Sequence, residues 1–177
     1  MIYHVAMTMA KKISNTYILK DGVIRCFVSS GRSFIFDVCD EILVKSRLWN
    51  VNKYGYTQCF NGGKREYLHR LLLGATDTEI VDHINGDTRD YRRLNLRKCS
   101  KQQNSANQSI RDCNTSGYKG VSYVVDRGKY QAYITHNRKR YALGRFYTAK
   151  DAAVAYNKAA VYYFGEFARL NNFDQEE

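Results

Sequence analysis

Short apolar runs alternate with turn residues over the first part of the chain. Asp21-Gly22 separates two of these runs, and Asn61-Gly62-Gly63 follows a third, residues 54–60. Runs of β-branched and aromatic residues bounded by such turns predict strands joined by tight hairpins. We therefore expect a small β-rich module over residues 16–68.

The hydrophobic pattern changes after residue 80. The short apolar run Ile80-Val81 precedes a polar loop, and a second run covers residues 94–98. Ser100 followed by Gln103 is the signature of a capping box, which opens a helix. The pattern predicts a β-β-α unit over residues 81–109.

Beyond a polar stretch at 111–117, three strand-like runs precede one helix. The runs cover residues 121–125, 130–135 and 140–146. Thr148 with Asp151 predicts a second capping box, alanines then recur at helical spacing, and Gly165 is placed to end the helix. We expect a three-stranded antiparallel sheet packed on one helix, and the whole chain to be of the α+β class.

The charge favours a polyanionic partner. Lys and Arg number 28 against 17 Asp and Glu, which gives a net charge of +11 and a pI near 9.5.

No apolar run is long enough to span a membrane, and residues 1–12 lack the features of a secretion signal, so a cytoplasmic protein is expected. Five cysteines without a C-x-x-C pair argue against disulfides and a structural zinc site.

Hydrolysis of a phosphodiester requires an activated water, a cation at the scissile phosphate and ligands that hold this cation. Asp82-His83, Asn95 and Asn104 together offer such groups. An Asp-His pair at the end of the first strand of a β-β-α unit presents one side chain to a metal and the next to a water. The helix that follows brings Asn104 back toward the same point.

These residues lie in stretches that closely resemble the HNH nuclease family, especially its phage and intron homing endonucleases. The similar stretches are VDHINGD at residues 81–87, RRLNLR at 92–97 and QQNSAN at 102–107, with LHRLL at 68–72 ahead of them. The third residue of the motif is Asn rather than His, which marks the homing-type variant. The resemblance implies the ββα-metal core of these nucleases.

The resemblance also implies residue roles. His83 would be the general base that activates water, and Asp82 and Asn104 would be the metal ligands. Asn95 would fix the loop that positions His83. Carboxylate and amide oxygens suit a hard cation, so one Mg²⁺ or Mn²⁺ is expected and no small-molecule cofactor.

Two further candidates remain open. His69 begins an apolar stretch, where it either contacts a phosphate or the active site, or serves as a packed or capping residue. Asn107 is either a second polar contact to DNA or part of the exposed face of the helix.

Two basic clusters flank the linker. Residues 89–111 contain seven Lys or Arg and one acid, and residues 127–150 contain seven and no acid. Such runs are often only solvated faces, but two clusters beside a nuclease motif favour binding to DNA phosphates. Arg93 and Arg97 of the first cluster are assigned to DNA.

Residues 118–173 resemble the AP2 (ERF-type) DNA-binding domain over its whole length, through YKGV at 118–121, YALGRF at 141–146 and TAKDAAVAY at 148–156. That family lays its sheet in the major groove of duplex DNA. On this resemblance, phosphate or guanine contacts are expected from Lys119, Arg138, Arg140 and Arg145, and apolar or stacking contacts are expected from Tyr123 and Tyr133. Ser122, Thr135 and Ala142 depart from plant relatives, so the plant site preference is not carried over.

The sequence thus predicts a metal-dependent endonuclease acting on double-stranded DNA, of the homing type found in phages and mobile elements. Residues 1–110 would form the β module and nuclease, with the motif at 68–108, and residues 118–173 would form the DNA-binding domain after a linker at 111–117. Two rivals remain: a non-catalytic AP2-type regulator, and a protein that binds or cleaves RNA.

Overall fold

The computed structural model of the chain describes residues 14–173. The expectation about a secretion signal at residues 1–12 lies outside these residues. The described chain forms two compact units. The first consists of the chain up to Gly74 together with Thr88–Asn95, and the second consists of Ala75–Asp87 together with the chain from Leu96 onward.

The first unit begins with an antiparallel three-stranded sheet followed by a short helix. Asp21 and Gly22 both have positive φ, at 52° and 75°, which is the backbone of a two-residue type I′ hairpin. The predicted turn is therefore confirmed. The elements are β1 (Thr16–Lys20), β2 (Val23–Phe27), β3 (Ser33–Asp37) and α1 (Glu41–Lys45).

A second three-stranded sheet completes the first unit, and the chain enters α2 directly from its last strand. Its elements are β4 (Asn50–Val51), β5 (Thr57–Asn61), β6 (Lys64–Tyr67) and α2 (Leu68–Leu72). The largest fully buried side chains of the unit belong to Trp49, Tyr91, Phe34, Phe36 and Leu68. The expectation of a β-rich module is confirmed.

The second unit contains a two-stranded antiparallel sheet followed by a helix. The strands are β7 (Ile80–His83) and β8 (Leu96–Cys99), and the helix is α3 (Lys101–Asn107). Ser100 and Gln103 form the reciprocal capping box that their spacing predicts. The predicted start of the second strand at residue 94 is wrong, because Arg93–Asn95 forms a 3-10 turn, in which the Asn95 N–H donates to Arg92 O rather than to a neighbouring strand.

The C-terminal part of the second unit is a three-stranded antiparallel sheet on one helix, as the pattern predicts. Its elements are β9 (Val121–Val124), β10 (Lys129–His136), β11 (Lys139–Phe146) and α4 (Ala149–Phe164), with β10 central. Small side chains let α4 approach the sheet closely. The buried residues of this layer are Val121, Ala132, Ile134, Ala152, Ala153, Tyr156 and Ala160.

The ends of α4 follow the predicted signals with one difference. The Thr148 hydroxyl accepts from the Asp151 N–H at 3.0 Å, and Gly165 follows the last helical residue with φ 53°. The expected reciprocal capping box is wrong in its second half, because the Asp151 carboxylate accepts from the Thr148 hydroxyl at 2.7 Å. A short acidic side chain reaches that hydroxyl, whereas a longer Gln, as at residue 103, reaches the backbone N–H of the capping residue.

The predicted linker at 111–117 is an ordered turn. Asn114 Nδ2 donates to Tyr118 O at 3.0 Å, and the Ser116 hydroxyl donates to Val121 O at 2.9 Å. The β7–β8–α3 segment and the C-terminal sheet lie in the same compact unit. The division into a nuclease domain and a DNA-binding domain stays a prediction.

The architecture is of the α+β class, with several small antiparallel sheets and few helices. Within residues 14–173, no helix combines the length and the hydropathy needed to cross a membrane.

Candidate active site and nucleic-acid interface

Asp82 and His83 are the last two residues of β7, and both are buried, with exposed fractions of 7% and 5%. In the register with β8, Asp82 lies opposite Arg97 and His83 lies opposite Leu96. Residues directly opposite one another in an antiparallel pair project to the same face. The register therefore brings the Arg97 guanidinium to the Asp82 carboxylate.

Arg97 forms an ion pair with Asp82 that is shielded from solvent. Its Nε and Nη2 donate to Asp82 Oδ2 at 3.1 and 3.0 Å, and its Nη1 donates to Glu166 O at 2.8 Å. The guanidinium also lies over the Phe167 ring, 4.1 Å from its centroid. Glu166 and Phe167 thus hold the Arg97 guanidinium in place. Its positive charge compensates the negative charge of Asp82.

Asn107, at the end of α3, bonds to both residues of the Asp-His pair. Its Nδ2 lies 3.1 and 2.9 Å from the two Asp82 carboxylate oxygens and 2.9 Å from His83 O. One amide nitrogen has two donor hydrogens, so both are used here. Asn107 is buried, and the interpretation of this residue as part of an exposed helix face is therefore wrong.

Asn104 lies one turn before Asn107 on α3 and is half-buried. Residues three apart on a helix share a face, so Asn104 projects from the same side of α3 as the side chain that contacts Asp82. Its backbone N–H donates to Ser100 O at 2.9 Å. Cys99, just before the helix, lies close enough to Asp82 that burial and this carboxylate together raise the pKa of its thiol.

The two oxygens of the Asp82 carboxylate accept different numbers of hydrogen bonds. Oδ2 accepts from Arg97 Nε, Arg97 Nη2 and Asn107, whereas Oδ1 accepts one longer bond from Asn107. An ionised carboxylate has about four acceptor positions in all. The oxygen donors of Asp82 and Asn104 are of the kind that Mg²⁺ and Mn²⁺ prefer.

Two of the predicted site residues, His69 and Asn95, lie in the first unit. His69 is buried among tyrosine rings, with centroids 5.6 Å from Tyr56 and 5.7 Å from Tyr67, and it stacks on Tyr91 at 6.4 Å. This environment agrees with the interpretation of His69 as a packed residue. Asn95 is also buried, and its Nδ2 donates to Asp90 O at 2.8 Å, which ties down the loop before β8.

Arg93 also lies in the first unit, where it pairs with Asp40. Its Nε and Nη2 reach the Asp40 carboxylate at 2.9 and 2.6 Å, and its backbone N–H donates to Asp37 Oδ2 at 2.7 Å. Asp37, Cys39 and Asp40 place three atoms that could bind a metal within 4.8 Å of one another. Arg93 forms an ion pair with Asp40, so one of these three groups already has a cationic partner. The predicted DNA contact of Arg93 stays a prediction.

One face of the C-terminal sheet packs on α4, and the other is free of it. Ala132 and Ile134 are buried against the helix, so alternation along β10 puts Gln131, Tyr133 and Thr135 on the opposite face. We call this opposite side the free face. Arg145 pairs with Gln131 and Arg140 pairs with Thr135, so both arginines join the free face.

Three other predicted DNA contacts lie in different surroundings. Arg138 is exposed in the hairpin turn between β10 and β11, with φ 62°. Tyr123 lies opposite Tyr130 in the register and packs against its ring at 5.0 Å, which puts it on the helix side of the sheet. Lys119 is half-buried, and its Nζ donates to the carbonyl oxygens of Ala106 and Gln108.

A groove of about 1020 Å³ runs between α3, the loop after it and the free face of the sheet. Tyr133 and Arg140 line it, and the Arg140 guanidinium lies 4.2 Å from the Tyr133 ring centroid. Among the described residues, none of the acidic ones lines this groove. Its positively charged lining residues are Lys101, Arg111, Lys119, Arg138 and Arg140.

The sequence pattern missed the partners of Asp82. Arg97 was predicted to contact DNA because it lies in a basic cluster. Only the β7–β8 register reveals its ion pair with Asp82. The spacing of Asn107 from Ser100 did carry a signal, because the predicted helix puts it on the same face as Asn104. No comparable signal existed for Lys119, whose partners depend on the tertiary fold.

Comparison with known proteins shows the family of the chain. Residues 66–106 match the family model described as HNH endonuclease. The chain is also similar to a protein named uncharacterized HNH endonuclease L560, from Acanthamoeba polyphaga mimivirus, with 32% identity over 173 residues. That match covers 91% of this chain and 89% of the relative, and the chain therefore belongs to the HNH endonuclease family.

Proposed function

We propose that the protein is a metal-dependent endonuclease that hydrolyses phosphodiester bonds of double-stranded DNA. Its active site would consist of Asp82, His83 and Asn104. The observation that carries this proposal is the geometry around the Asp-His pair. Both residues end one buried strand, and Arg97 and Asn107 hold the Asp82 carboxylate in a fixed orientation. Preorganised charged groups of this kind are what catalysis of phosphodiester hydrolysis needs.

His83 acts as the general base in this proposal. It accepts the proton of the attacking water, whose oxygen bonds to phosphorus while the bond from phosphorus to the leaving oxygen breaks. The hydrogen bond from Asn107 to His83 O, at 2.9 Å, fixes the backbone from which the imidazole projects. General-base catalysis depends on such placement, since the base must lie within hydrogen-bond reach of the water.

Asp82 and Asn104 would hold the divalent cation. When bound, a divalent cation stabilises the negative charge that develops on the phosphate. Asp82 Oδ1 has acceptor capacity left, and Asn104 projects from the same face of α3 as Asn107. Oxygen donors favour Mg²⁺ or Mn²⁺ over softer ions, and we propose one of these two.

The free face of the C-terminal sheet and its groove would bind the DNA. The exposed arginines 138, 140 and 145 supply positive charge, and the groove adds Lys101 and Arg111. Phosphate contacts of this kind position a protein on DNA, and side chains of a sheet can read bases in the major groove. This use of the sheet is the one that its resemblance to AP2 domains implies.

A site-specific homing role is part of the proposal. The basic free face gives a means of selecting a site, and the similar protein from a virus fits a mobile or viral origin. The non-catalytic regulator is not favoured, because the full set of Asp82, His83 and Asn104 is present.

The proposal is tested with supercoiled plasmid that carries random inserts. Purified protein should convert it to open-circle or linear DNA with Mg²⁺ or Mn²⁺ and not with EDTA. His83→Ala should abolish this conversion and still bind DNA. His69→Ala, at a packed histidine outside the site, should still require the same metal for cleavage. Tight binding without cleavage under every divalent ion and insert would favour the regulator, and preferential cleavage of duplex RNA would favour the RNA rival.

A further inference from the structure

The Lys119 side chain lies where the chain enters the C-terminal sheet and meets the end of α3. Its Nζ donates to Gln108 O at 2.7 Å and to Ala106 O. Its backbone is held as well, because its N–H donates to Asn171 Oδ1 at 2.7 Å and its carbonyl accepts from Asn171 Nδ2 at 3.1 Å. Lys119 is thus fixed on the sheet side and reaches across to α3.

The two carbonyls that Lys119 binds flank Asn107, the last residue of α3. The final carbonyls of a helix have no donor within the helix, and they form the negative end of its dipole. A Lys side chain can satisfy these groups and stabilise the last turn. Lys119 does so from outside the helix, eleven residues beyond Gln108.

Asn107 connects this cap to the site, because its amide holds the Asp82 carboxylate and His83 O. We propose that Lys119 is a positioning residue of the nuclease site: it holds the last turn of α3, so that Asn107 keeps Asp82 and His83 in their orientation. This inference rests on the proposed nuclease function. It replaces the predicted DNA contact of Lys119 with a role inside the protein.

The surroundings of Lys119 agree with an internal role. Burial, and after it the nearby charge of Arg169, lowers the pKa of the Lys119 ammonium to about 8. A lysine that binds DNA phosphates from the surface would keep its hydration. The Arg169 backbone N–H also donates to Ala106 O, at 3.2 Å, so two donors meet on the carbonyl just before Asn107.

The test separates turnover from binding. Lys119→Met removes the charge and the donors, Lys119→Arg keeps both, and Lys158→Met removes an exposed charge from α4 as the matched control. We expect Lys119→Met to lower kcat on plasmid by about 10-fold to 100-fold, the usual effect of losing a residue that orients a metal ligand, with a Kd for duplex DNA close to wild type. Lys119→Arg should restore most of kcat, and Lys158→Met should match wild type.

Several results would overturn the inference. If Lys119→Met keeps kcat but binds DNA more weakly and with a flatter salt dependence, Lys119 is a DNA contact. If Lys119→Arg folds and is as inactive as Lys119→Met, capping of α3 is not its role, and this result stands even if Lys119→Met fails to fold. Inactivity of the wild-type protein would instead refute the proposed nuclease function.

Discussion

Asp82 shows how a buried carboxyl group is accommodated in this protein. An isolated buried carboxylate is costly, and it persists only where charges and donors compensate it. Arg97 and Asn107 provide this compensation from β8 and α3. The same contacts that stabilise the fold also fix the carboxylate that would bind a metal.

Asn107 and Asn104 are neighbours on α3 with different expected roles. Asn107→Ala leaves the Asp82 carboxylate and His83 O short of a donor, so we expect a loss of about 1–3 kcal/mol in the free energy of unfolding. Asn104→Ala removes a proposed metal ligand, so cleavage should fall while stability stays near wild type. Urea denaturation and a plasmid assay on both variants check this.

Equal losses of stability in the two variants would refute the division of roles. Full activity of Asn104→Ala at low Mg²⁺ concentration would remove Asn104 from the metal site. Gln102→Ala is a suitable control, because this residue lies in the same helix and is assigned no role.

The lowered pKa of Lys119 predicts a pH dependence of stability. The ordinary value is 10.5 and the folded value is about 8, so between these pH values the unfolded chain binds more protons than the folded chain. Stability contributed by this residue should therefore rise with pH across that window and stay constant below it. Arg169 is the charged neighbour that acts in the same direction.

The measurement is the difference in unfolding free energy between wild type and Lys119→Met at pH 7 and at pH 10. Burial raises the pKa of the Cys26 thiol to about 12, which lowers stability as the pH rises. This effect is the same in both proteins, so taking the difference between them removes it. The stability of wild type relative to Lys119→Met should be greater at pH 10 than at pH 7. A constant difference would contradict a buried, titrating Lys119.

At the scale of elements, local signals predicted most of the secondary structure. The Asp21-Gly22 turn, the Ser100 capping box and the stop at Gly165 each depend on a few adjacent residues, and all three are confirmed. The start of β8 was misplaced, because the hydrophobic Leu94 extends the apolar pattern although its side chain is 95% exposed in a 3-10 turn.

The site divides in the same way between local and distant contacts. Asp82 and His83 are adjacent and were predicted together, but Arg97 lies 15 residues from Asp82 and Asn107 lies 25 residues away. Their contacts depend on the strand register and on how α3 packs, which no local pattern encodes. Lys119 looked like a surface cation for the same reason.

The C-terminal sheet carries its own prediction, because its two faces differ. Arg140→Ala on the free face should weaken DNA binding and reduce the salt dependence of the Kd by roughly one ion. Lys158→Ala, on the exposed side of α4, should leave both unchanged. Fluorescence anisotropy at several salt concentrations measures this, and an unchanged slope for Arg140→Ala would remove the free face from the interface.

At the scale of the whole molecule, the segment that follows α4 returns to the β7–β8–α3 segment. Glu166 O accepts from Arg97, and the Arg169 N–H donates to Ala106 O. The second unit therefore contains both the proposed nuclease site and the proposed DNA-binding sheet. Binding of DNA to the sheet and the orientation of Asp82 would depend on one packed structure.

The most direct test is single-turnover cleavage of plasmid by wild type and His83→Ala at equal fractions of bound DNA, started by adding Mg²⁺. Equal occupancy separates chemistry from binding, so the account predicts cutting by wild type and none above background by His83→Ala. Equal cutting by both proteins would show that His83 is not the base. Bound DNA left intact by wild type with Mg²⁺ and with Mn²⁺ would contradict the nuclease itself.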